Sequence, residues 1–98
     1  MSKIIFTSSY EINPEKRDEY LTLSRQMKDH LSGANGRNYA IYEQKGKKNS
    51  FTEVFICANK DEYDQIEDQD DTTSQLVQKL ESLLANGKMK YSTLVELP

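Results

Sequence analysis

The chain has 98 residues, with 13 lysines and arginines against 16 aspartates and glutamates, a net charge of −3; that is one domain, residues 1–98, with no room for a second. The balance lacks the basic footprint of a nucleic-acid binder, and 36% hydrophobic residues is too apolar for a disordered chain. One cysteine, Cys57, excludes an internal disulfide framework and a Cys-x-x-Cys zinc site, and no apolar run approaches the ~20 residues of a membrane span.

Lys3 to Ile12 reads as a strand, rich in Ile, Phe, Thr and Tyr. Asn13-Pro14 signals a helix start, because Asn caps free N–H groups and Pro at the first position gives up a donor that has no partner anyway. The helix runs to about Leu31, with Tyr20, Leu23, Met27 and Leu31 in one stripe. Residues 32–36, Ser-Gly-Ala-Asn-Gly, end it in a loop. Asn38 to about Lys45 and Phe51 to Ala58 form two strands around a polar turn, and the short turn makes them an antiparallel hairpin. Asn59 caps a short helix that reaches about Glu67, with Glu62 placed to reach back and Tyr63 and Ile66 turned inward. Thr72 starts a further helix carrying Leu76, Val77, Leu80, Leu83 and Leu84, with Gly87 as its left-handed cap. Lys90 to Leu97 is the last strand.

Strand, helix, strand, strand, helix, strand is the order of an α+β, ferredoxin-like βαββαβ domain, with a four-stranded antiparallel sheet and both long helices on one face. The other face needs a cover. Large apolar groups point both ways from the strands, and an uncovered face carrying Phe51 and Phe55 would be an exposed apolar patch. A second copy of the chain buries it at about 25 cal/mol per Å², so a homodimer is expected.

The stretches Tyr10-Glu11-Ile12-Asn13-Pro14-Glu15-Lys16-Arg17-Asp18-Glu19-Tyr20-Leu21, Phe51-Thr52-Glu53-Val54-Phe55 and Asn59-Lys60-Asp61-Glu62-Tyr63 resemble the dimeric α/β-barrel proteins of the antibiotic biosynthesis monooxygenase type. The likeness covers almost the whole chain in element order. It implies two sheets paired into a dimeric barrel, with a pocket in each subunit. The activities it brings with it are cofactor-independent oxidation of quinols and polyketides, and heme degradation. The heme-degrading branch uses an Asn on the first strand, a Trp on the short helix and a His on the next. Those places hold Thr7, Ile66 and the Thr73–Leu76 region, so heme degradation is not expected.

Among single residues, His30 is the one imidazole; in the last turn of a helix it complements the dipole without any catalytic role. Cys57 reads as a buried, inert thiol. Glu53, between Phe51 and Phe55 on one strand face, is a carboxylate in apolar surroundings, with a raised pKa and the capacity to act as a general base. The alternative is a hydrogen bond or salt bridge in a structural role. Residues 60–71 hold seven acids against one lysine, a solvated acidic stretch without the spacing of a calcium loop. Arg37, Lys45, Lys47 and Lys48 make a basic patch too small for nucleic acid.

No metal and no cofactor is expected, since glycine-rich phosphate loops, HExxH and GxSxG are all missing. The expected function is that of a small-ligand-binding or interaction module, without membrane partner and cytoplasmic. The alternative is a cofactor-independent, monooxygenase-like enzyme acting on a small hydrophobic, aromatic or quinol-like molecule. The preferred register turns Ile4, Phe6, Val54 and Ile56 toward the helices. Ile5, Thr7, Ser9, Glu53 and Phe55 then face the barrel interior, where Thr7, Ser9, Glu53 and Phe55 with Tyr39 would line the pocket.

Overall fold

The computed structural model describes residues 2–34, 36–67 and 70–98; Asn35 of the expected loop and Asp68 of the acidic run lie outside them. The order is β1 (Ile4–Ile12), a 3-10 turn (Pro14–Lys16), α1 (Arg17–Lys28), a wide π turn (Asp29–Ala34), β2 (Tyr39–Glu43), β3 (Ser50–Cys57), α2 (Lys60–Glu67), α3 (Asp71–Glu81) and β4 (Leu84–Val95). All strand pairs are antiparallel, in the order β2-β3-β1-β4. This is the α+β, ferredoxin-like arrangement with the long helices on one face. Among the described residues no helix is long and apolar enough to cross a membrane.

The expected caps form. Asn13 Oδ1 accepts from the N–H of Glu15, and Asn59 Oδ1 from that of Glu62, while the Glu62 carboxylate reaches back to the N–H of Ala58. The stripe of Tyr20, Leu23, Met27 and Leu31 is buried. Several boundaries differ from the sequence reading: the first helix is regular only over Arg17–Lys28, and the last strand starts at Leu84, read as helical, rather than at Lys90. The cap of α3 is Asp70 rather than Thr72, its side chain accepting from the N–H of Thr73. Gly87 does not close that helix, which ends at Glu81. With φ 68°, Gly87 lies inside β4, where pairing with β1 shifts from Tyr10–Met89 to Ile12–Leu84. The extra residues there make a bulge, and glycine tolerates the left-handed backbone it requires.

The register corrects the expected facing of β3. Ile4 pairs with Cys57, Phe6 with Phe55, Ser8 with Glu53 and Tyr10 with Phe51. Phe51, Glu53, Phe55 and Cys57 are buried beneath the helices, while Val54 is half-buried and Ile56 exposed on the open face. Side chains alternate strictly along a strand, so one misplaced residue carries the whole set with it. A carboxyl beneath helices carries a desolvation cost that favours the open face, but neighbouring phenols supply polar partners on the helix side. Phe51 has a similar reason to face inward. Its ring lies 4.2 Å from that of Tyr20, filling space under α1 that the smaller Thr52 would leave open.

Candidate functional site

A cavity of about 360 Å³ opens between the sheet and the helices. Its floor is the middle of the sheet. Phe6 and Ser8 come from β1, Glu53 and Phe55 from β3, Met89 and Tyr91 from β4. Its roof is apolar, with Met27 of α1, Ile66 of α2, and Leu76, Val77 and Leu80 of α3. These roof positions recur at helical spacing, which is how the amphipathic stripes read in sequence become one wall. Leu31, Arg37, Asp70 and Thr73 complete the lining. His30 Nε2 lies 3.0 Å from an Asp70 carboxylate oxygen, tying the π turn to the start of α3. Thr73 and then His30 hold the Asp70 carboxyl below the usual carboxylate range.

Glu53 is the buried carboxyl of the site, 7% exposed. The Tyr39 hydroxyl donates to its Oε1 at 2.6 Å. Burial pushes the Glu53 carboxyl above its ordinary value, and the phenols of Tyr39 and Tyr10 pull in the opposite direction. Burial and then the nearby carboxylate hold the Tyr39 phenol well above its own ordinary value. Tyr10 and Tyr20 share a hydrogen bond of 2.8 Å behind this pair. A carboxyl raised in this way holds its proton to higher pH than a solvated one and is a stronger proton acceptor once ionised.

The five residues singled out in sequence divide between the two faces. Tyr39, Glu53 and Phe55 meet on the helix side, where Tyr39 and Phe55 have ring centroids 4.7 Å apart. Thr7 and Ser9 lie on the opposite face of the sheet, where Ser9 Oγ hydrogen-bonds Thr52 Oγ1 at 2.9 Å. They do not join Glu53 and Phe55, contrary to the expected register. Ser8 and Arg37 are cavity residues that the sequence reading passed over. Ser8 had a signal: it is the single polar residue in the β1 stripe Ile4, Phe6, Ser8, Tyr10, Ile12. Cys57 is buried and its thiol is pushed up by burial, which suits an inert packing role. Among the described residues no cluster of His, Cys, Asp and Glu is arranged to hold a metal.

Comparison with family models gives no match, and comparison with curated proteins gives none either. Solved structures share the fold. A conserved protein from Methanosarcina mazei is 17% identical, with a TM-score of 0.82 over 96% of this chain and 92% of its own. An antibiotic biosynthesis monooxygenase is 17% identical, with a TM-score of 0.80 over the full length of both chains. SnoaB, a cofactor-independent oxygenase from Streptomyces nogalater, is 11% identical, with a TM-score of 0.74 over 94% of this chain and 90% of its own. The chain therefore has the same ferredoxin-like fold as these structures, an antibiotic biosynthesis monooxygenase and a cofactor-independent oxygenase among them.

Proposed function

We propose that this protein binds a small hydrophobic or aromatic molecule between its sheet and helices. The observation that carries the reading is the cavity of about 360 Å³, apolar in most of its wall and floored by the buried carboxyl of Glu53. A largely apolar cleft with a few placed polar groups is the usual form of a small-molecule site. Naphthalene-class probes should shift amide resonances of Phe55, Leu76 and Val77. Val77→Trp, which fills the cavity from α3, should abolish those shifts. Shifts confined to the open sheet face would defeat the reading.

A second reading is cofactor-independent oxygenation of a quinol-like substrate. It is favoured by Glu53, a proton acceptor set in apolar surroundings, and by the shared fold with an oxygenase that needs no cofactor. In such a reaction the substrate is the sole reductant and supplies four electrons to O₂: two in the bond to the oxygen atom that enters it, and two, with two of its hydrogens, in the water that leaves. Oxygen uptake with a panel of quinols, lost in Glu53→Gln, is the check. The assembly we propose is a homodimer through the open sheet face, where Ile5, Val54, Ile56 and Leu94 stand together.

A further inference from the structure

The core-facing stripe of β1 holds one polar residue, Ser8, and that of β3 holds one, Glu53. The register pairs these two directly across the strands. Ser8 is 5% exposed, its Oγ has no hydrogen-bond partner among the described residues, and it lines the cavity. The other buried hydroxyl without a partner, Ser50, stands at the start of β3 and does not line the cavity. On Glu53, Tyr39 donates to Oε1 and the Tyr10 phenol also acts on the carboxyl, which still lines the cavity. A buried hydroxyl without a partner weakens a fold, so its place beside a cavity and opposite a buried carboxyl calls for a ligand atom.

We infer that Ser8 and Glu53 form a two-point cradle for a hydroxyl on an aromatic ligand, so that the cavity selects a phenol or enol over the corresponding ether. The inference rests on the cavity being the ligand site. The ligand O–H donates to the carboxyl of Glu53 and accepts from the Oγ–H of Ser8. A carbonyl would satisfy Ser8 but, once Glu53 is ionised, set a second acceptor against the carboxylate. An ether cannot donate. An ammonium group would have to shed its water in a mostly apolar cavity, where Arg37 opposes it and the Asp70 carboxylate is already engaged by His30. The ring itself has Phe6 and Phe55 to lie against, 6.2 Å apart.

Calorimetric titration of the full chain with 2-naphthol, 2-methoxynaphthalene, naphthalene and 2-naphthylmethylamine tests this. The naphthol should bind about tenfold or more tighter than the ether. In Ser8→Ala that ratio should collapse to about threefold or less, with affinity for the ether unchanged. The empty Ser8→Ala protein should melt no lower than the wild type, because it has lost only an unpartnered hydroxyl. Equal binding of naphthol and ether, or a ratio that survives Ser8→Ala, overturns the cradle and leaves the cavity standing as a site. Tightest binding of the amine overturns it in favour of a cation. Failure of all four to bind removes the cradle together with the cavity reading. The wild-type comparison of naphthol with ether decides the matter even if the variant does not fold.

Discussion

Tyr39 and Glu53 meet on the helix side of adjacent strands, the phenol donating to the carboxyl across 2.6 Å. Tyr39 is directly opposite Phe55, two residues along β3 and on the same face as Glu53. The contact is therefore a diagonal cross-strand pair, within reach of a long aromatic side chain. It gives a buried carboxyl the partner it needs under the helices.

Tyr39→Phe removes that donor without changing the packing. The loss should be about 1–3 kcal/mol where Glu53 is ionised, and smaller where it is neutral. Without the donor the carboxyl rises further, so the cost should grow with pH. Urea melts of wild type and variant at about pH 5 and about pH 8 measure it; a cost that shrinks toward the higher pH would refute the assignment.

Glu53→Gln isolates the titration itself. Burial raises the folded-state pKa of Glu53 above its unfolded value. Above the ordinary carboxylate range the folded state keeps a proton that the unfolded state has released, and wild-type stability falls as pH rises through that window. Glutamine does not titrate. The melting temperature of the variant minus that of wild type should therefore become more positive from about pH 4.5 to about pH 8. A flat difference would mean that Glu53 is solvated in the folded protein.

At the hairpin end of the sheet the sign is the opposite. Arg17 reaches Glu43 with two nitrogens, at 2.7 and 3.0 Å, and the N–H of Asn49 donates to the same carboxylate at 2.9 Å. The bonds from Arg17 and then Asn49 pull Glu43 down to about 2. Its contribution is present above the ordinary carboxylate value and lost as pH falls toward about 2. Glu43→Gln should melt below wild type at neutral pH, with the gap closing on acidification. A gap that persists in acid would assign the effect to packing instead of charge.

What could be read from sequence was whatever is specified locally. Asn13-Pro14 and Asn59 act through atoms two or three residues away, and Tyr20, Leu23, Met27 and Leu31 repeat with the helix itself. The facing of β3 is not local. Phe51, Phe55 and Cys57 make one apolar set, Val54 and Ile56 another, and the strand alone does not say which set the helices will cover. The choice depends on partners far along the chain: Tyr20 against Phe51, and Tyr39 against Glu53. Unless Tyr39 is placed beneath the helices as well, a carboxylate there looks prohibitive and Glu53 is sent to the wrong side. Ser8 was legible in part, because one serine in a stripe of Ile, Phe and Tyr is a departure that packing does not explain.

The register also decides which substitution tests the dimer. Leu94, Ile5 and Ile56 form a row across the open face, with Leu94 54% and Ile56 38% exposed. Light scattering should give a particle of twice the 11.3 kDa chain mass. Ile56→Asp puts a carboxylate where a lone chain leaves it solvated and a face-to-face dimer buries it without a partner. It should therefore yield a folded monomer with a cooperative melt. Phe55→Asp is a different experiment. Phe55 is buried beneath the helices, in contact with Tyr39 and Phe6, so an aspartate there should destroy the cooperative transition before assembly becomes an issue. A wild-type monomer at micromolar concentration, or an Ile56→Asp protein that remains dimeric, would rule out the open sheet face as the interface.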